Sequence, residues 1–342
     1  MRIALDAMGT DERPVPDVAG GVLAAKEFGD TILLVGDETR IKAELAKLDT
    51  TGLKLEIVPA AEEVLMDDKP GVVIKGKPQS SMHVAMNLVA ANDADAFVTM
   101  GNTGAAHSIA TLKTLKRISG VKRPALSSIF SIAGRTFILL DIGANTDSRP
   151  EWMAQFAVMG KIYAENALGV KNARVALLSN GEEEGKGNQL IRDAGELIAQ
   201  LPLNFIGNIE PKAILDGGAD VIVSDGFVGN IVVKAFEATT RSLLYLIRDE
   251  LTRTVFTKAV GALARPALMR VRKQVDPFEI GGAPLLGVNG VVIIGHGRSN
   301  AYAVKNAIGQ ARRAVAGHII DSIREGLEPT LDLASSAENS AT

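Results

Sequence analysis

Five times in this chain a short apolar run ends in a loop of small residues rich in Gly and Asn. These loops are Gly101-Asn102-Thr103-Gly104, Asp141-Ile142-Gly143-Ala144-Asn145, Ser179-Asn180-Gly181, Asp225-Gly226-Phe227-Val228-Gly229-Asn230 and Gly295-His296-Gly297. Gly lets a bound group come close to the backbone, and Asn offers neutral donors and acceptors. Strand ends of this kind line a crevice in open α/β sheets. Exposed N–H groups where a strand passes into a helix attract an anion. All five tips are therefore expected to meet in one phosphate-binding cleft. Lys77, Arg123, Lys186 and Lys234 are the cations that could hold the anion, and His296, between two glycines, is the best-placed imidazole. Each loop taken alone is a weak signal, and Gly101–Gly104 alone reads better as a tight turn capped by Thr103.

The elements that must position these loops follow from periodicity. Strands are expected at Ile3–Leu5, 31–35, 53–58, 96–100, 125–132, 135–140, 174–178, 203–206, 221–224 and 291–294. Helices are expected at 15–28, 38–48, 80–91, 103–118, 151–167, 188–200, 230–252 and 300–325, with Ser80 as a cap and 60–78 as an irregular loop. The alternation predicts an α/β fold, a three-layer α/β/α with a largely parallel sheet covered on both faces. The turn at Ala133-Gly134 joins two strands with no helix between them, so the sheet is expected to be mixed. With no Pro/Ser-rich linker, residues 1–327 read as a single α/β domain and 328–342 as a flexible tail.

Composition narrows the chemistry. Among 342 residues there is no Cys, which excludes disulfides, thiolate metal sites and a cysteine acyl-enzyme. A net charge of −3 speaks against a nucleic-acid partner. The early Asp6 interrupts any signal-peptide apolar region, and no apolar run approaches a membrane span, so a cytoplasmic protein is expected. No P-loop, G-x-S-x-G elbow, H-E-x-x-H or dinucleotide fingerprint occurs, and neither metal nor cofactor is implied.

One stretch stands apart. Leu243, Ile247, Leu251 and Val255 recur at helical spacing, and Leu268, Val271 and Val275 resume the stripe after Pro266. This predicts a protruding helical hairpin over about 236–276, with Pro266 in the first turn of its second helix. Its proximal stripe suits an oligomer interface. Its distal part carries Arg253, Lys258 and Arg265 among Phe256, Val260 and Leu263, and no acid between residues 252 and 275. That composition suits an anionic membrane surface, or an acidic carrier protein.

Eight motifs then match a known family in order: Asp6-Ala7-Met8-Gly9; Lys77 with Ser80-Ser81-Met82; Gly101 to Ala105; Arg123-Pro124-Ala125; Asp141 with Gly143-Ala144-Asn145; Ser179 to Glu183 with Lys186-Gly187-Asn188; Asp225 to Asn230; and Gly281 to Gly287. They resemble the bacterial acyl-ACP:phosphate acyltransferase (PlsX) family, over residues 1 to about 326. The resemblance implies a fold like the isocitrate/isopropylmalate dehydrogenases and phosphotransacetylases, and a homodimer that visits the membrane through its hairpin. It implies conversion of fatty acyl-ACP and orthophosphate to acyl phosphate and holo-ACP in phospholipid synthesis, feeding a membrane glycerol-3-phosphate acyltransferase. Asn145, Asn180, Lys186 and Asn230 are then expected to be catalytic. Asp6, Gly9, Lys77, Gly101, Asn102, Thr103, Gly104, Asp141, Asp225, Gly226, Gly229 and His296 are expected to bind substrate or phosphate. The chain departs from the family pattern at Thr10-Asp11-Glu12, where Gly-Asp-His is usual, and at Lys75, where Arg is usual. Two other readings use the same residues: a phosphotransacetylase-like enzyme acting on acyl-CoA, and a catalytically silent membrane-associated scaffold.

Overall fold

The computed structural model describes residues 1–132, 134–328 and 330. Its first part comprises β1 (Arg2–Asp6), α1 (Val15–Phe28), β2 (Thr31–Gly36), α2 (Glu38–Leu45), β3 (Leu55–Pro59), α3 (Pro70–Gly76), α4 (Ser81–Ala90), β4 (Ala96–Thr99) and α5 (Thr103–Ser108), which continues as a π-helical turn, Ile109–Lys113. β5 (Ala125–Ile132) and β6 (Arg135–Leu140) form the expected hairpin, turning at Gly134 with φ 77°. Next come α6 (Pro150–Asn166), β7 (Arg174–Leu178), α7 (Gln189–Ile198), β8 (Asn204–Ile209), α8 (Pro211–Asp216), β9 (Val221–Val223), α9 (Gly226–Thr252) and α10 (Val255–Val275). β10 (Ala283–Leu286), β11 (Val291–Ile294), α11 (Ala301–Ala316) and α12 (Ile319–Gly326) close the described chain. The expected tail lies outside the described residues apart from Glu328 and Thr330.

Helix starts follow capping chemistry. Ser80, Asn102, Asn188, Asp225 and Asn300 each accept a backbone N–H from the first turn of the helix that follows, an interaction typically worth about 1 kcal/mol. Four expectations are corrected. The supposed loop 60–78 contains α3, started by Pro70 at its first turn. The helix from Thr103 ends near Lys113 rather than Ile118, because it widens into the π turn. The helix predicted over 300–325 breaks at His318, which takes a left-handed conformation. The hairpin turns at Thr254, not at Pro266. Thr254 and Thr257 cap each other's backbone N–H groups, and Pro266 lies inside α10.

The eleven strands lie in the order β3-β2-β1-β4-β11-β10-β5-β6-β9-β7-β8. β10 was not expected. It pairs antiparallel with β11 on one side and with β5 on the other, and β5 pairs antiparallel with β6; every other strand pair is parallel. Three reversals make β6, β7, β8 and β9 run opposite to β1, β2, β3, β4 and β11.

One face carries a continuous apolar layer, from Ile3 and Val98 through Ile138 to Val175, packed under α1, α6, α7 and α11. On the other face the layer is split. One cluster joins Ala4, Phe97, Val292 and Leu285 to α4 and α5, and a second joins Phe137, Leu139 and Ile222 to α8 and α9. Along β5, Leu126 belongs to the first cluster and Phe130 packs against the second, with half-buried Ser128 between them. Ile142 touches both. A seam therefore crosses the sheet over β5.

Candidate active site

The strand reversals divide the small-residue loops into two groups, so the expectation of a single convergence is corrected. The C-terminal tips of β1, β4 and β11 share one rim: Thr99 Oγ donates to Asp6 at 2.7 Å, Gly295 N to Thr99 O at 2.7 Å, and Asp11 N to Gly297 O at 2.7 Å. The tips of β6, β9 and β7 share the opposite rim. There Asp141 N donates to Ser224 O at 2.9 Å, Gly226 N to Asn145 O at 2.8 Å, and Asn230 Nδ2 to Ile142 O at 2.9 Å. β10 spans the two rims from Ala283 beside Ile294 to Leu286 beside Ala125, a rise of about 10 Å. α9 also joins them. It starts against Ile142 through Asn230 and reaches His296, whose ring feels the charges of Glu237 and Arg241. The candidate site is thus elongated along the seam, with a loop cluster at each end.

Many expected ligand groups serve the loops themselves. Asp141 is fully buried and accepts N–H bonds from Leu126, Gly143, Ala144 and Asn145, and from the Asn145 side chain. Burial raises its pKa against these bonds. Asn145 Nδ2 is fully used by Asp141 and Pro124 O. Asp225 caps Phe227 and Val228. A Cβ on Gly226 would meet Asn145 O at 2.4 Å, and one on Gly229 would meet Asp141 O at 1.9 Å. These glycines admit the chain's own backbone.

At the other rim Asp6 is buried, takes the Met8 N–H and the Thr99 hydroxyl, and has its pKa raised by burial. Gly9 packs against Met100 N, and Gly101 N donates to Thr99 Oγ. Gly104 packs against Pro70, and Asn102 Nδ2 binds three carbonyls of the 65–68 segment. Lys77 pairs with Asp68 at 2.5 Å and binds Glu63 O, which holds Asp68 below the usual carboxylate range. Its charge is thus shared with Asp68. Thr103 is exposed at the start of α5, and His296 is exposed at the rim, its pKa lowered mainly by partial desolvation.

Some groups remain free. Lys186 is exposed and pairs with no carboxylate among the described residues. Exposed Asn180 accepts Gly187 N at 3.0 Å through Oδ1, and its Nδ2 makes no hydrogen bond among the described residues. Asn230 spends one Nδ2 hydrogen on Ile142 O, so its second Nδ2 hydrogen and Oδ1 remain for a ligand. A cavity of about 400 Å³ lies elsewhere, lined by Arg135, Arg174, Gly217 and Asp220. It sits at the starting ends of β6 and β7, away from both loop clusters.

Three features escaped the sequence reading. His107 on α5 has a buried Nε2 with no partner among the described residues, and its pKa is lowered by burial and by nearby Arg123. Arg123 and Arg149 both stack on Trp152, at 5.0 and 5.7 Å. Asp17 is buried in α1 beside Thr10. His107 lies one helical turn beyond Thr103, a spacing that could have marked it.

Residues 1–321 match the model of a family described as fatty acid synthesis protein. The chain is 45% identical over 334 residues to the phosphate acyltransferase of Dictyoglomus turgidum, covering 97% of this chain and 99% of that one. It is 46% identical over 331 residues to the phosphate acyltransferase of Endomicrobium trichonymphae, covering 96% and 98%. Among solved structures it resembles the EutD phosphotransacetylase of Staphylococcus aureus, with TM-score 0.58, 18% identity and coverage of 92% and 94%. A phosphotransacetylase from Streptococcus pyogenes is similar at TM-score 0.58 and 19% identity, covering 94% of each chain. These two likenesses are of fold.

Proposed function

We infer the function from one premise: this chain belongs to the fatty acid synthesis protein family, together with the phosphate acyltransferases. It is an acyltransferase, and phosphate is its acyl acceptor. The observation that carries this reading is the extent of the match, which takes in the seam and both loop clusters.

In the proposed reaction, orthophosphate attacks the thioester carbonyl of a fatty acyl-ACP. A carbon–oxygen bond forms, the carbon–sulfur bond breaks, and the departing thiolate takes the proton that phosphate gives up. The products are acyl phosphate and holo-ACP. No protein nucleophile is needed, which suits a chain without cysteine. Lys186 Nζ and Asn180 Nδ2, free donors on one loop, hold the phosphate. Asn230, through Oδ1 and its second Nδ2 hydrogen, orients the phosphate or the thioester carbonyl. Asp141 and Asn145 position this end rather than touch substrate, because their polar atoms already fasten the 141–145 loop.

No helix among the described residues is long and apolar enough to cross a membrane. Contact with an anionic membrane is assigned to the hairpin. Val255, Phe256 and Leu263 are 86%, 77% and 85% exposed, beside Arg253, Lys258 and Arg265, and Val260 is exposed as well. A homodimer and a membrane glycerol-3-phosphate acyltransferase that consumes the product complete the proposed setting, at the cytoplasmic face.

Purified protein given acyl-ACP is expected to release holo-ACP only when phosphate is present. Release of free fatty acid without phosphate would make it a thioesterase. Equal turnover of acyl-CoA would favour the phosphotransacetylase-like alternative, which the shared fold keeps in view. No turnover of either would leave the silent scaffold. Lys186→Ala is expected to raise the KM for phosphate about tenfold, the loss of roughly 1.4 kcal/mol of binding. Unchanged kinetics would remove Lys186 from the site.

A further inference from the structure

The two ends of the seam differ in what surrounds them. α9 passes His296 near Glu237 and Arg241 and continues for eleven residues to Thr252, about 16 Å further. The apolar hairpin tip therefore projects beyond the rim that carries His296. The opposite rim, beside Pro124 and Asn145, has another character. The chain has no acidic residue from Ala96 to Leu140, and within that stretch Lys113, Lys116, Arg117, Lys122 and Arg123 fall in eleven positions. All five are exposed, as is Arg149.

The fold brings these charges to one place. The π turn delivers Lys113 and Lys116 to the end of β10, where Asn289 N donates to Lys116 O and Arg117 pairs with Val288. Arg117 Nη1 binds Lys122 O, which fastens the two halves of the loop. Arg123 and Arg149 stack on the half-buried Trp152 ring. Asp147 and Glu151 flank Arg149 in sequence, yet none of the six cations forms an ion pair among the described residues. Six unopposed positive charges at the mouth of a site complement an acidic surface. Two guanidiniums held flat on an aromatic ring are ordered before any partner arrives.

We propose that this patch, Lys113 to Arg123 with Arg149 on Trp152, docks the acidic carrier protein that presents the acyl thioester. The carrier sits at the Asn145 end of the seam, and the acyl chain runs along it toward the hairpin end. The hairpin is the poorer dock for a soluble acidic protein. Its exposed Val255, Phe256 and Leu263 match a lipid surface, whereas the patch exposes one large aliphatic side chain, Leu112. This inference rests on the acyl-ACP reading above and adds the place of entry.

The test compares full-length wild type with Lys113→Glu/Lys122→Glu/Arg149→Glu, three residues outside the proposed phosphate site. The KM for acyl-ACP is expected to rise at least about tenfold, while the KM for phosphate and turnover of a carrier-free acyl-pantetheine thioester stay unchanged. The wild-type KM for acyl-ACP is also expected to climb with ionic strength, because exposed charges are screened. An unchanged KM for acyl-ACP in a folded triple variant overturns the proposal. So does loss of binding to phosphatidylglycerol vesicles with acyl-ACP kinetics intact, which would make the patch a lipid contact. If the triple variant does not fold, Lys122→Ala and Arg149→Ala decide the matter singly, each by a raised or an unchanged KM for acyl-ACP. Absence of phosphate-dependent turnover in the wild type strikes the proposed function itself, not the docking surface.

Discussion

Asp17 shows how much one buried carboxyl can shape this protein. It has no exposure and no cation beside it. It accepts the Thr10 hydroxyl at 2.5 Å, and its Oδ1 has no partner among the described residues. Burial, and then the charge of nearby Asp6, push its pKa well above the ordinary 3.8. The folded chain thus binds this proton more tightly than the unfolded chain does. Its contribution favours folding at acid pH and is lost as pH rises from the unfolded value through the raised folded one. Buried His83 acts in the opposite sense. Its lowered pKa means that stability is lost as pH falls below about 6.5. Asp17→Asn, which keeps an acceptor for Thr10, is expected to raise the unfolding temperature at neutral pH and to flatten its decline from acid to neutral conditions. Each 1 kcal/mol relieved corresponds to about 2–4 °C or less in a chain this long. An unchanged slope would show that Asp17 is not the group responsible.

At the scale of elements, the base of the hairpin packs on the sheet through Val232, Val233 and Phe236, and its far part is nearly independent. α10 buries no residue, and α9 buries only Gly226 and Gly229 at its start. Residues that contribute so little to the core contribute little to its stability. Phe256→Asp with Leu263→Asp is therefore expected to leave the melting temperature within a few degrees and to abolish flotation with anionic vesicles, where exposed apolar and basic side chains act together. Undiminished flotation would defeat the membrane role. The opposite end of α9 is intolerant of change, since Gly229 lies against the Asp141 carbonyl and no side chain fits there. One helix thus has a first turn locked into the loop cluster of Asp141 and Asn145 and a far end free for a partner.

For the molecule as a whole, a ligand held by loops at a sheet rim stabilises only the folded chain. Phosphate at about 100 times its dissociation constant would add about 2.7 kcal/mol. Differential scanning calorimetry is expected to show the unfolding temperature rising with phosphate in the wild type and about half as much in Lys186→Ala, where tenfold weaker binding leaves about 1.4 kcal/mol; equal shifts in both would place the anion elsewhere. Much of this architecture was legible in the residues alone. Strands such as 174–178 and 291–294, helices such as 15–28, and the cap at Ser80 depend on neighbours within a few positions, and local order is what periodicity reports. The family motifs were legible for the same reason. The arrangement of the site was not. Whether the Asn145 and His296 loops share a rim depends on the direction of each strand, and that turns on β10, four residues that pair with β5 from far along the chain. Which donors stay free was equally hidden, because Lys77 meets Asp68, and Gly229 meets Asp141, only when distant segments pack. Sequence by itself determined the elements, their caps and the family; tertiary structure alone decided which polar atoms were left to face a substrate, because burial and pairing depend on contacts between segments that no local pattern encodes.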